Sequence, residues 1–256
     1  MNDFEIIKNY VEEGRSNGWL SIEAAGWDIG KPGFRGLTLK NLNLTNLDLS
    51  NYRFPILHVE NCDFSNSNLE NAWLGHESTI INSKFINSNL SNVLVKSCNF
   101  TGSDFSGAIL NKIMFECSNF TNTKFNNTKL NGTDLQRISF DKINFSNSDF
   151  SKATFHVTEM TNCNLSNCNL SDLFLSSVRF KGSDLSNVNF SGTTFSGVDF
   201  DESIKLFQTN FENCKFRDCS FMGADLSNAN INGIMGTKDT LSGAILNFKQ
   251  KLRSYF

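Results

Sequence analysis

The chain has 256 residues, 39% of them hydrophobic, and a formal net charge of −3 at pH 7. No segment approaches the ~18 consecutive apolar residues of a membrane-spanning helix, and so small a net charge favours neither nucleic acid nor an acidic membrane surface as partner. Residues 1–20 carry charges throughout and contain no continuous apolar run, so we expect no secretory signal and a cytoplasmic location.

The first segment, residues 1–33, is not repetitive. Phe4, Ile7 and Val11 recur at helical spacing, and bulky apolar residues such as Trp19 and Trp27 follow them. We interpret 1–33 as a short helical or irregular cap that covers the exposed core at the start of the domain that follows. The alternative is a head that binds a partner.

The second segment, residues 34–246, has a strict period of five. Every fifth residue from Ile80 to Phe200 is a large apolar residue, and the same register extends back to Leu39 and forward to Leu246, with Gly236 the one failure. Neither a helix nor a strand has a period of five, whereas stacked units that bury a shared core do produce a fixed short repeat. The segment is therefore predicted to be a single solenoid domain without catalytic pockets between elements.

Each position of the five-residue unit prefers a particular type of residue. Two residues before the large apolar residue, which we call the centre, stands a small or β-branched residue, as at Ser83, Ala108 and Val188. Both positions are predicted to face inward. Two residues after the centre stands Gly or Asn in many units, as at Gly102 and Asn147. These residues tolerate a positive φ, which a tight turn every five residues requires.

These units resemble the pentapeptide-repeat family, whose motif is A(D/N)LXX. The likeness is carried by segments such as Gly182–Phe190 (GSDLSNVNF) and Gly223–Ile231 (GADLSNANI), and it covers Leu39 to Leu246. It implies an all-β fold, a right-handed quadrilateral β-helix with one unit on each side and about 20 residues in each coil. It also implies that some relatives protect bacterial topoisomerases from inhibitors by imitating duplex DNA.

Two steps of six residues interrupt the period, Leu74 to Ile80 and Phe200 to Leu206. Each adds a single residue, so we predict a bulged corner at each place and no long loop. Family members that protect gyrase often carry longer loops, and their absence counts against that function.

The last segment, 247–256, is predicted to be a short amphipathic helical tail. Its apolar residues at helical spacing are Phe248, Leu252 and Tyr255 or Phe256, with cationic residues between them. We interpret the tail as a C-terminal cap. The alternative is a homodimer contact through Phe248, Leu252, Tyr255 and Phe256, because the tail supplies one in some relatives.

Nothing in the sequence indicates catalysis, a metal or a cofactor. The three histidines, His58, His76 and His156, lie near no cluster of cysteines or carboxylates at metal-ligand spacing. Six of the seven cysteines occupy the small inward position, Cys117 being the exception, which predicts core residues in a reducing compartment. We therefore predict no catalytic, cofactor-binding or metal-binding residues and no enzymatic activity.

The outward position just before the centre distinguishes two sides of the predicted coil. One side alternates in charge, and its successive residues are Asp63, Lys84, Asp104, Lys124, Asn144, Asn164, Asp184, Lys205 and Asp225. Imitation of duplex DNA would favour an unbroken row of carboxylates, so this pattern counts against it. Another side carries apolar residues at the same position, which we predict to bind a protein partner: Trp73, Leu94, Met114, Phe174 and Met235. The alternative is that the N-terminal segment folds back over them.

Two functional hypotheses remain at this point. The first is a non-enzymatic protein-protein interaction module, with binding and protection of a type II topoisomerase (DNA gyrase or topoisomerase IV) as its most specific form. The second is a scaffold, immunity protein or secreted effector that binds another partner through the apolar side. Neither hypothesis involves direct contact with nucleic acid or a membrane.

Overall fold

The computed structural model describes residues 37–52, 54, 57–237 and 239–253. The predicted N-terminal cap, residues 1–33, lies outside the described residues, as do Tyr255 and Phe256 of the tail. Within the described part, contacts between Cα atoms divide the chain into two compact units, residues 1–124 and 125–256. We call them unit 1 and unit 2, and each is built from the same kind of coil.

Twelve short strands and one short helix are the regular elements of the described chain. Unit 1 contains β1 (Leu37–Lys40), β2 (Leu57–Glu60), β3 (Trp73–His76), β4 (Thr79–Ile81), β5 (Leu94–Lys96) and β6 (Met114–Glu116). Unit 2 contains β7 (Ser139–Asp141), β8 (Phe155–His156), β9 (Glu159–Thr161), β10 (Phe174–Ser176), β11 (Thr194–Ser196), β12 (Lys215–Arg217) and the helix α1 (Phe248–Arg253).

All pairing between these strands is parallel. In unit 1 the order β1-β2-β4 forms one sheet, which we call side A, and β3-β5-β6 forms another, side D. In unit 2 the sheet β7-β9 is side A and the sheet β12-β11-β10-β8 is side D. Between sides A and D along the chain, single bridges form sides B and C, such as Asp104↔Lys124 and Asn169↔Asn189. The predicted four-sided β-helix is confirmed.

The coil repeats every 20 residues because four units of five make one circuit. Val95 pairs with Phe115, and Leu175 pairs with Phe195, each 20 residues further on. The six-residue steps lengthen two coils by one residue, so that Val59 pairs with Ile80 and Phe195 with Phe216. At the first step the register of β3 against β5 shifts between Trp73 and His76, as the predicted bulge requires.

The corners depend on a positive φ two residues after each centre. Gly102, with φ of 72°, also lies so close to the preceding coil that an added Cβ would overlap the Asn82 Oδ1. Asn is the commonest residue at the other corners because its short polar side chain tolerates this region. Val157, with φ of 53° and a half-exposed side chain, is a β-branched residue in a conformation that such residues avoid.

The core of each unit consists of stacked centres, and their inward orientation is confirmed. In unit 1 the rings of Phe64, Phe85 and Phe105 stack with centroids 5.0 and 4.9 Å apart, and Phe100 stacks on Phe120 at 5.5 Å. In unit 2 the Phe190 ring stacks on that of Phe211 at 5.4 Å, and Phe195 stacks on Phe216 at 4.9 Å. Each ring therefore contacts the same side of the neighbouring coil.

The small inward position satisfies backbone groups that the stacking would otherwise leave unpaired. The Ser103 hydroxyl donates to the Ile80 carbonyl at 3.0 Å and accepts from the Ser83 amide at 3.1 Å. Thr209 makes the same kind of bond to the Leu185 carbonyl at 2.8 Å. Because buried backbone groups need partners, a hydroxyl at this position supplies the hydrogen bonds that the backbone lacks at the corner.

The cysteines are all free thiols. Five of the six at the small inward position are buried, and burial raises the pKa of Cys163, Cys168 and Cys214 to about 12. Cys219 differs from the predicted core role because it is only half-buried. The repeat is interrupted beside it, between Met235 and Thr240. Cys117, the predicted exception, is exposed.

Candidate functional site

The candidate site lies on side D of unit 1. Trp73, Leu94 and Met114 occupy the first residues of β3, β5 and β6, and the register pairs Trp73 with Leu94 and Leu94 with Met114. With about 4.8 Å between neighbouring strands, the three side chains form a continuous apolar row about 10 Å long. We call this row the apolar ridge.

The ridge faces outward because side chains alternate along a strand. The centres that follow its members, Leu74, Val95 and Phe115, are 2%, 0% and 3% exposed and belong to the core. Leu94 is 39% exposed and Met114 is 48% exposed. Trp73, which the sequence predicts to be exposed with the other two, is half-buried.

The corners before the ridge strands are polar. Asn71, Asn92 and Lys112 are exposed and precede β3, β5 and β6 by two residues. The side-chain Nδ2 of Asn71 donates to the Oδ1 of Asn51 at 3.2 Å. Lys96, on the far side of Leu94 in β5, is half-buried. An apolar row with a polar margin is the composition typical of a protein-binding surface.

The two predicted contact residues of unit 2 do not form a ridge. Phe174 is 57% exposed, but its register partner on β11 is Thr194. Met235 is 51% exposed, and its partner is Lys215. Each is a single apolar side chain beside a polar one, and scattered residues of this kind are common on protein surfaces.

Side B of unit 1 carries the alternating charges that the sequence predicted. Lys84 lies 3.8 Å from the carboxylate of Asp63, and Lys124 lies 3.2 Å from that of Asp104. Partial burial opposes ionisation of Asp104, but hydrogen bonds from Ser106 and the Lys124 ammonium outweigh burial, so the pKa of Asp104 lies below its usual value. The carboxylates are thus neutralised locally, and this side presents no row of unpaired negative charge.

Side C carries a polar ladder that sequence reasoning missed. In unit 2 the amide group of each asparagine donates to the side chain one coil earlier, at 3.2 Å from Asn169 to Asp149, 3.3 Å from Asn189 to Asn169, and 3.0 Å from Asn210 to Asn189. The signal was available, because Asn or Asp recurs before every fourth centre from Asp149 to Asn230. Such a ladder stabilises stacking and leaves few groups for a ligand.

Three exposed apolar side chains of unit 2 were also missed. They are Phe207 at 53%, Met222 at 59% and Ile245 at 56% exposed. Phe207 and Met222 follow their centres, an outward position that is usually Ser or Thr, so the departure from the repeat was readable in the sequence.

The tail contains the helix α1. A reciprocal pair of hydrogen bonds caps the N-terminus of this helix. The Asn247 amide donates to the Gln250 side chain at 2.7 Å, and the Gln250 amide donates to the Asn247 side chain at 3.0 Å. Gln250 is 8% exposed and also donates to the carbonyls of Leu226 and Ala229, which anchors α1 on the last coil. Phe248 is 76% exposed, and the side chains of Leu252, Tyr255 and Phe256 lie outside the described residues.

Within the described ranges, no group of three or more His, Cys, Asp and Glu side chains is arranged to hold a metal ion. No helix among the described residues is both long enough and apolar enough to cross a membrane.

Comparison with known proteins identifies the repeat. A model of the pentapeptide repeat region matches residues 133–204, and a model of eight pentapeptide repeats matches 76–111, 98–137 and 204–234. Together they run from residue 76 to residue 234, more than half of the 256 residues. No curated protein matches the chain.

Among solved structures, HetL from the cyanobacterium Nostoc sp. strain PCC 7120, described as involved in heterocyst differentiation regulation, is 18% identical with a TM-score of 0.47. That alignment covers 96% of this chain and 97% of HetL. A trypsin-treated QnrB1, described as a plasmid-mediated fluoroquinolone resistance protein, is 16% identical with a TM-score of 0.44, over 79% of this chain and 90% of QnrB1. Likeness at this level does not bear on function. The matching repeat models and the 20-residue coil together show that the chain belongs to the pentapeptide-repeat family.

Proposed function

We propose that this chain is a non-enzymatic module that binds a protein partner through the apolar ridge of unit 1. The observation that carries the proposal is the pairing of Trp73, Leu94 and Met114 on three neighbouring strands, with the last two substantially exposed. Polar residues at these outward positions would not cost the fold stability. The presence of an exposed apolar row therefore favours a contact with another protein.

The ridge is large enough to anchor a contact. Fully burying a Leu or Met side chain stabilises an association by roughly 1.5–3 kcal/mol, and about half of that remains available for side chains already half-buried. A tryptophan with one polar edge is a frequent anchor of protein interfaces. The three residues are therefore expected to supply most of the apolar contact on this side.

The first experiment compares variants of the full chain as bait in its native host. Trp73→Ser and Met114→Ser are the ridge variants, and Ile109→Ser is the matched control, since Ile109 has the same outward position on side C of unit 1. We expect a partner that the native chain and Ile109→Ser both capture and that the ridge variants lose, with mass spectrometry as readout. Equal capture by all four proteins would refute the ridge as contact.

A more specific form of the proposal is the binding and protection of a type II topoisomerase, DNA gyrase or topoisomerase IV, as a DNA-mimicking rod. It is supported by membership of the family, and the paired charges on side B count against it. The discriminating measurement is gyrase supercoiling with a quinolone and the purified chain. Restored supercoiling would favour it, whereas unchanged inhibition would leave the alternative of a scaffold, immunity protein or secreted effector.

Homodimerisation through the tail is a separate part of the proposal. It is supported by the exposure of Phe248, although the anchoring of Gln250 favours the role of a cap. Sedimentation of the native chain and of Phe248→Ser distinguishes the two roles, because only a dimer contact would make the mass depend on that residue.

A further inference from the structure

Among the described residues, the last coil of unit 2 is covered on two sides and open on two. Its sides A and B receive the chain that follows, since the amides of Phe221, Gly223 and Leu226 donate to the carbonyls of Thr240, Gly243 and Ile245. After Ile245 the chain turns into α1, so no further coil of the described chain stacks on side C, residues 230–233, or on the start of side D.

Gln250 of the helix covers the corner between sides B and C. Gln250 Nε2 donates to the Leu226 carbonyl at 2.8 Å and to the Ala229 carbonyl at 2.9 Å. Two circuits earlier, the equivalent carbonyls of Leu185 and Val188 accept from the Thr209 hydroxyl and the Asn210 amide. A single glutamine thus replaces two donors of the missing coil, and among the described residues its side-chain nitrogen bonds only these two carbonyls.

Beyond that corner, side C presents backbone donors of the ladder. In earlier coils the amides of Phe211 and Asn213 donate to Asn230 and Asn232 at 2.8 and 2.9 Å. The equivalent donors in the last coil are the amides of Ile231 and Gly233, and neither has an acceptor among the described residues. Gly233 stands at a corner, with φ of 64°, as Asn213 does in the preceding coil with φ of 57°. Because Phe211 and Asn213 both donate to the following coil, the amides of Ile231 and Gly233 point to the same open side.

A cavity of about 720 Å³ lies over these donors. Half-exposed Ile231, Ile234 and Leu241 supply its apolar lining, and Lys249 adds a positive charge. Sites of roughly 300–1,000 Å³ with an apolar floor and a few convergent polar groups are typical of ligand binding.

We propose that this open edge binds an extended peptide segment of a partner protein, which adds one strand to side C in place of the missing coil. Two carbonyls of the peptide, at positions j and j+2, accept from the amides of Ile231 and Gly233. An apolar side chain between them packs on Ile234 and Leu241, and an acidic residue is favoured by Lys249. This mode of recognition takes its affinity from main-chain hydrogen bonds and its specificity from the side-chain pocket.

The chain itself supplies the probe. Residues 207–213 (FQTNFEN) form side C of the preceding coil, where the carbonyls of Asn210 and Glu212 accept from Phe190 and Gly192 at 2.8 and 2.9 Å. A capped, fluorescently labelled peptide of this sequence should therefore fit the open edge one coil later. Its binding to the full chain is measured by fluorescence anisotropy, with a scrambled peptide of the same composition as control.

Ile231→Pro removes one of the two donors at an edge position where proline is tolerated, and Ile231→Val keeps the donor. We expect Ile231→Pro to weaken peptide binding about threefold to tenfold, the loss of one hydrogen bond, and Ile231→Val to leave it within about twofold. Thermal unfolding of both variants checks the fold. If Ile231→Pro does not fold, a peptide with Ser at the position of Phe211, tested on the native chain, must bind more weakly than the probe.

Three outcomes would overturn the proposal. They are the absence of binding at millimolar peptide, equal binding of the scrambled peptide, and equal affinity of Ile231→Pro and Ile231→Val. Self-association of the native chain that Ile231→Pro abolishes and that the peptide does not displace would also overturn it, because a second copy would then occupy the edge. None of these outcomes bears on the ridge of unit 1, so the two proposals fail separately.

Discussion

Sides B and D of unit 1 belong to the same coils and pair residues at the same intervals along the chain, yet they present opposite surfaces. On side B, Asp104 and Lys124 pair across neighbouring coils at 3.2 Å, so each charge is satisfied by its neighbour. On side D, Leu94 and Met114 are paired in the same way and remain 39% and 48% exposed. The coil fixes the position of each outward side chain. The residue type decides whether that side chain pairs with its neighbour in the next coil or remains exposed for a partner protein.

The largest expected effect separates inward from outward positions. Phe100 is 1% exposed and stacks on Phe120, so Phe100→Ala should lower the free energy of unfolding by roughly 3–5 kcal/mol. Met114→Ala, on the ridge, should change it by less than about 0.5 kcal/mol. Urea unfolding followed by circular dichroism measures both, and similar values for the two variants would contradict the assignment of the core.

The division into inward and outward positions could be predicted from the sequence, because a period of five has few physical explanations. The inward centres, the positive-φ corners and both one-residue bulges follow from spacing alone, as Phe100, Gly102 and the step from Leu74 to Ile80 illustrate. The outward exposure of Leu94 and Met114 followed from the same register.

Other features could not be read from the spacing. The partial burial of Trp73 is a tertiary property, which the repeat does not specify. The role of Gln250 depends on where α1 meets the last coil, although the Asn247/Gln250 pair was a readable capping signal. The uncovered edge at Ile231 and Gly233 depends on the path of the chain after Ile245, a tertiary property.

A smaller effect concerns the corners, which lie between the sides. In unit 2, Val157 has φ of 53° whereas Asn147 has φ of 60°, and both side chains are exposed. Val157→Asn should raise the free energy of unfolding by about 1 kcal/mol, since it relieves steric strain in the left-handed region. The reciprocal variant Asn147→Val should lower it by a similar amount. Thermal unfolding of both checks the sign, and a destabilising Val157→Asn would show that Val157 has a contact worth more than its strain.

The smallest effect is that of the side B ion pairs. The pKa of Asp104 is lowered in the fold, so its contribution to stability is fully present above the ordinary carboxyl pKa of about 4 and disappears as the pH falls through the lower folded value. Because the Lys124 side chain is 63% exposed, solvent screens its charge although Asp104 is partly buried. A double-mutant cycle with Asp104→Asn and Lys124→Gln should therefore give less than about 1 kcal/mol at pH 7. The coupling should shrink in 1 M salt and as the pH falls through the lowered folded pKa of Asp104, and a coupling that is independent of both would disprove a charge-charge origin.

The contrast between the two sides is tested most directly by the affinity of the captured partner for two double variants. Trp73→Ser/Met114→Ser removes the ridge, and Asp104→Asn/Lys124→Gln removes one ion pair from side B of the same unit. We predict that calorimetric titration gives a loss of about tenfold or more for the first, and a change within about twofold for the second. A loss confined to the side B variant, or an unchanged affinity for the ridge variant, would contradict the account.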